Sequence, residues 1–127
     1  KFVCYVFDRS LFGYNYRALR DGKLTPPQAA QLLPDRSTLA MVWRYLAACG
    51  NQIQEAPLCL CRKIVRWSGV SLNLGQLLTC LDIFSDVGLL MVQRLHKHIT
   101  VRLNPVDSKA DLTQSRTMQR LLAAKES

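Results

Sequence analysis

Hydrophobic and polar positions follow two different periods along this chain, and the switch between them is clearest from Ser71 to Leu103. Leu74, Leu77, Leu78, Leu81 and Phe84 recur at helical spacing, which places them on one stripe of a central helix. Ser71 or Asn73 can cap its start, and Gly88 can close its end in the left-handed conformation. The period then falls to two. Leu89–Leu95 and Ile99–Leu103 read as strands joined at His96-Lys97-His98. In the second run Ile99, Val101 and Leu103 alternate with Thr100 and Arg102, so one face is buried and one is wet.

The same reading extends to the rest of the chain. Phe2–Phe7 is an unbroken run of β-forming residues, expected to be a buried strand stopped by Asp8-Arg9-Ser10. A short helix is expected through Tyr14–Leu19, ending near Gly22. Thr25-Pro26-Pro27-Gln28 opens another, with the capping-box spacing and proline where no amide hydrogen is needed; Pro34 ends it. Asp35 or Ser37 caps a longer helix that runs to Cys49 and stops at Gly50, burying Leu39, Val42, Trp43 and Leu46. Asn51–Pro57 reads as a loop. Leu58–Trp67 reads as a helix with Leu60, Ile64 and Trp67 inward and Arg62, Lys63 and Arg66 outward. Ser68-Gly69-Val70 turns into the central helix. Beyond Pro105 a polar linker leads to a last helix carrying Leu112, Met118, Leu121 and Leu122, capped by Thr113 or Ser115 and fraying past Ala124. Helix, glycine turn, helix and hairpin in that order predict an α+β fold. Residues 34–127 form a winged-helix-like domain in this reading, and residues 1–33 supply a strand and short helices that pack on it.

The bulk numbers narrow the function classes. With 49% hydrophobic residues in 127, the chain can bury a core as one folded unit. No run of eighteen apolar residues exists, so no membrane span is expected. The chain opens at Lys1 without a methionine or a signal-peptide pattern, so it is expected to be a piece of a longer protein. Its five cysteines (Cys4, Cys49, Cys59, Cys61 and Cys80) are odd in number and mostly sit in apolar runs, which suits buried thiols in a reducing cytoplasm. The net charge is +8, and residues 57–104 contribute six bases against two acids. A basic surface attracts nucleic acid, acidic peptides or anionic lipid.

Arg62, Lys63 and Arg66 on the helix before the turn, with Arg94, Lys97 and Arg102 on the hairpin, are the candidate binding residues for nucleic acid or an acidic peptide. The central helix is a poor reader of duplex sequence. Gln76 and Thr79 are expected on its exposed face, but so are Asp82 and Asp86, which the phosphate walls of a groove repel. No metal site is expected: Cys59-Leu60-Cys61 and His96-Lys97-His98 lack the gaps that zinc ligands need. No Gly-x-Ser-x-Gly, phosphate loop or paired carboxylates appear, so no catalytic residue is assigned. Trp43 and Trp67 fall on apolar stripes and are expected in the core, whereas Tyr14 and Tyr16 are candidates for base stacking.

Three segments carry a family resemblance. They are Pro34-Asp35-Arg36, Leu81-Asp82-Ile83-Phe84-Ser85-Asp86-Val87-Gly88-Leu89, and Lys109-Ala110-Asp111-Leu112-Thr113-Gln114-Ser115. In this order and spacing, from about Leu33 to Leu122, the chain resembles the C-terminal domain of RecJ, the bacterial single-stranded-DNA-specific exonuclease. It departs at Ser37, near Ser85-Asp86 and near Met118. The resemblance implies a cytoplasmic, non-catalytic accessory domain acting in DNA repair and recombination. The nuclease chemistry, with its magnesium or manganese, belongs to an upstream core whose Asp/His motifs are missing here, so no cofactor is assigned to this chain. The implied partners are single-stranded DNA, the nuclease core of the same chain, and the acidic tail of single-stranded-DNA-binding protein. Two other readings are a protein–protein module, with an apolar patch at Leu90 and Val92 beside the basic residues, and a stand-alone winged-helix regulator.

Overall fold

Helix ends fall where the capping residues place them. A computed structural model of the chain describes residues 18–19, 21–94, 97–104 and 110–126. In chain order the elements are α1 (Pro26–Leu32), α2 (Arg36–Ala48), β1 (Gln52–Glu55), α3 (Pro57–Ser68), α4 (Leu74–Asp86), β2 (Leu90–Arg94), β3 (Ile99–Leu103), a 3-10 turn (Leu112–Gln114) and α5 (Arg116–Glu126). At α1, Gln28 accepts from the Thr25 amide at 3.0 Å. At α2, Asp35 accepts from the Thr38 amide at 2.8 Å. At α4, Asn73 accepts from the Gln76 amide at 2.7 Å while Gln76 reaches back to the Asn73 amide, a reciprocal capping box. Phe2–Phe7, Cys4, Tyr14, Tyr16, Leu95 and His96 lie outside the described residues.

The fold is α+β, five helices and a three-stranded antiparallel sheet among the described residues, in the order β1-β3-β2. The expected loop at Asn51–Pro57 is therefore corrected: Gln52–Glu55 is an edge strand paired with β3. Its sequence, Gln-Ile-Gln-Glu, has one apolar residue and no alternation long enough to read. The pairing with β3 makes it a strand. Register aligns Ile53, Val101 and Val92 across the sheet, facing the helices. Gln52, Arg102 and Met91 form a row on the outer face. Leu90 is buried and Val92 half-buried on the inner face, so neither belongs to an exposed patch at the hairpin.

The main core joins the inner sheet face to α2, α3 and α4 through Leu39, Val42, Leu46, Leu60, Ile64, Leu77, Leu81, Ile83, Phe84 and Val101. Trp43, half-buried, meets Phe84 edge to face at 5.3 Å between ring centres. A second cluster of Leu19, Ala29, Leu32 and Leu121 lies between α1 and α5, and Leu78 of α4 packs against it. This places α4 between two cores. Thr79, expected at the surface, is fully buried, and its hydroxyl donates to the Gly75 carbonyl at 2.8 Å. The satisfied hydroxyl is what lets a threonine sit there.

Both ends of the exit from α4 are pinned. Gly88 takes φ of +80°, a value that strains any residue with a Cβ. Asn104, just past β3, donates its side chain to the Gly88 carbonyl at 2.9 Å. Asp86 accepts from the Ser115 hydroxyl at 2.7 Å and from the Thr117 amide at 3.0 Å, while the Ser115 oxygen accepts from Met118. The carboxylate and the buried serine cap α5 together and fasten it to the end of α4, with the negative charge at the positive end of the helix dipole.

Candidate nucleic-acid interface

Helix α3 combines a deep apolar stripe with a cationic outer face. Pro57 stands in its first turn, and Gly69, at φ +71°, closes it by donating to the Val65 carbonyl at 2.8 Å. Leu60, Cys61 and Ile64 are buried. Cys59, Arg62, Lys63, Arg66 and Trp67 are exposed, and the helix has no acidic residue. Arg62 and Arg66 are one turn apart on one face, as are Lys63 and Trp67. Trp67 overturns its expected place in the core: 53% of its surface is open, and its ring rests edge to face on Tyr45 of α2 at 5.5 Å. It lies at the boundary of the stripe, three residues after buried Ile64 and four after exposed Lys63. The glycine turn that follows adds nothing bulky to cover it.

The six candidate cations divide into groups. Lys63 pairs with Glu55 at the end of β1. Arg94 faces inward from β2 toward Asp82 of α4, with closest atoms 3.9 Å apart. In the register Glu55 pairs with Ile99, which pairs with Arg94. Two strand spacings, about 10 Å, therefore separate Glu55 from Arg94. Lys63, Arg94 and the exposed Lys97 share that end of the sheet, and Arg62 and Arg66 continue along α3. Arg102 does not join them. It stands on the outer sheet face, three residues up β3, in a cleft of about 500 Å³ with Trp43, Asn51 and Gln52. Glu55 is the charge that sequence reasoning missed, because a residue read as loop has no assigned direction.

Burial and pairing set the ionisation of this neighbourhood. The hydrogen bond from Lys63 to Glu55 holds the ammonium above its usual range. Tyr45 is pushed up to about 12, first by burial and then by its hydrogen bond with Cys49. Tyr45 is therefore a neutral brace for Trp67 at physiological pH. The thiols also part company: Cys61 and Cys80 are buried, with burial driving the Cys80 thiol upward, whereas Cys49 and Cys59 are exposed, against the expectation from their apolar runs.

A separate apolar groove of about 350 Å³ runs between α2 and the chain after β3, lined by Leu39, Ala40, Trp43, Phe84, Leu89 and Leu112, with Arg36 at its rim. Among the described residues no three His, Cys, Asp or Glu side chains cluster closely enough to hold a metal ion, and no helix is long and apolar enough to cross a membrane. No family model, curated protein or solved structure matches the chain.

Proposed function

We propose that this chain is a winged-helix-like accessory domain of a RecJ-like single-strand-specific exonuclease, and that it grips single-stranded DNA through α3 and the tip of the β2–β3 hairpin. The element order from α2 to β3 and the sheet order β1-β3-β2 support the winged-helix reading. The likeness of Pro34–Arg36, Leu81–Leu89 and Lys109–Ser115 to the RecJ C-terminal domain supports the parent enzyme. Hydrolysis of the strand would belong to the upstream nuclease core, with this domain adding affinity.

One observation carries the proposal: the bases stand on α3, while α4, the groove-reading helix of a winged helix, is closed off between two cores. A helix sealed on both sides cannot enter a major groove, so affinity must come from phosphate contacts on the neighbouring surface. Such contacts suit a single strand of any sequence. The test is the reversal Arg62→Glu, Lys63→Glu, Arg66→Glu. Single-strand binding is expected to be abolished with the fold intact by circular dichroism; wild-type affinity in the triple variant would place the strand on another face.

A second reading rests on the groove beside Arg36. Its apolar walls and single cation fit a peptide that presents an acidic group next to a large apolar side chain, such as the acidic tail of single-stranded-DNA-binding protein. Ala40→Glu, at an exposed position of the groove wall, would abolish peptide capture while leaving strand binding unchanged.

A further inference from the structure

Trp67 stands half open to water at the edge of the apolar stripe of α3. Large apolar side chains half open to water are few among the described residues, and Trp67 is the one aromatic ring among them. The others, Val70, Met91 and Leu122, are aliphatic, and only Val70 adjoins it in sequence. The ring is nonetheless held: Tyr45, on a different helix, meets it edge to face with the planes 71° apart. An aromatic ring braced from a second element keeps its orientation before any ligand arrives. Around it the surface is cationic. Arg66 precedes it and is exposed, Lys63, paired with Glu55, lies one turn back, and Arg62 stands about 6 Å along the axis from Arg66. The turn after it, Gly69, Val70 and Ser71, is exposed throughout, so no described residue roofs that side.

We propose that Trp67 is a base-stacking platform, on which an unpaired base of a single strand lies while Arg62 and Arg66 contact the flanking phosphates. This rests on the single-strand reading above and assigns it a residue. Two features favour a nucleic acid over a protein partner. The large apolar side chains exposed here, among the described residues, are Trp67 and Val70, too few to form the apolar centre of a stable protein interface, which buries roughly 800 Å² per side in all. The helix that carries it has three bases and no acid. Aromatic rings set in a cationic surface are the general means of holding single strands, because every base offers a π face. A duplex keeps its bases stacked on one another and offers none.

The experiment uses the whole 127-residue chain with Trp43→Phe, which leaves Trp67 as the single tryptophan. Oligothymidylate and an abasic oligonucleotide of equal length are titrated against its fluorescence. Oligothymidylate is expected to quench Trp67, and the abasic strand to bind about 5- to 150-fold more weakly, the range expected for one stacked base. Trp67→Ala should lose a similar factor with an unchanged salt slope, since no phosphate contact goes with the ring, and Trp67→Phe should recover part of it. If the strand binds with a steep salt dependence yet the abasic strand binds equally well and Trp67 is not quenched, the platform is refuted and the single-strand reading stands. If neither oligonucleotide binds at low salt, both fall. Should Trp67→Ala fail to fold, the abasic comparison and Trp67→Phe decide the matter.

Discussion

Helices α3 and α4 are neighbours of nearly equal length, twelve and thirteen residues, but they meet water in opposite ways. Helix α3 buries one stripe and shows a face of two arginines, a lysine and a tryptophan. Helix α4 has eight buried residues, keeps Gln76, Leu78 and Asp82 half-buried, and fully exposes Ser85 and Asp86 at its end. On the winged-helix reading α4 would be the helix that enters a groove. Here α1 and α5 close its second side through Leu78, Leu121 and Leu32. The contrast teaches that position in a topology does not decide which element meets a ligand. On the proposed function, the charged surface left open by the packing does.

The comparison breaks most visibly in the core. Leu81→Ala on α4 should cost about 2–5 kcal/mol, from lost transfer energy and the cavity left behind. Urea unfolding followed by circular dichroism measures it, and a cost under 1 kcal/mol would mean that α4 is not a wall of the main core. Next is the fastening of α5. Asp86→Ala removes the acceptor for Ser115 and Thr117 and should cost about 1–2 kcal/mol. Amide exchange should quicken in α5 more than in α3.

On the α3 side the expectation reverses. Arg66→Gln should change unfolding free energy by less than about 0.5 kcal/mol, as solvated surface substitutions do, while weakening strand binding. The smallest effect is an acid one. Asp35 caps α2, whose Trp43 braces Phe84 of α4, and the hydrogen bond from the Thr38 amide holds its carboxyl below the usual aspartate range. A folded pKa below the unfolded one gives stability that is present above about pH 4 and is lost as pH falls further. Asp35→Asn should flatten the acid limb of a thermal-stability profile without moving its neutral plateau. An unchanged acid limb would remove Asp35 from the account.

Most of the architecture was legible because it is written in local chemistry. The capping oxygens of Asp35 and Asn73, the left-handed Gly69 and Gly88, and the alternation of Ile99–Leu103 each mark an element without help from elsewhere. Two things were not legible, for physical reasons. Strand β1 has no apolar alternation of its own and exists by pairing with β3, a contact about fifty residues away in sequence. The burial of Thr79 and the exposure of Trp67 depend on which helices cover which faces. A one-dimensional pattern carries the stripe of a helix but not the second neighbour that α1 and α5 give to α4. The bases were legible as charges. Their division into an α3 and hairpin-tip group on one side and Arg102 on the other needed the register of the sheet.

The most direct test of the central claim is fluorescence anisotropy of the whole chain against a labelled single strand and the matching duplex across a salt series. Strand gripping by α3 and the hairpin tip predicts tighter binding to the single strand, with log affinity falling by up to about 3.5 per log unit of salt if Arg62, Lys63, Arg66, Arg94 and Lys97 each neutralise a phosphate. Tighter binding to the duplex, or no binding at low salt, would contradict it.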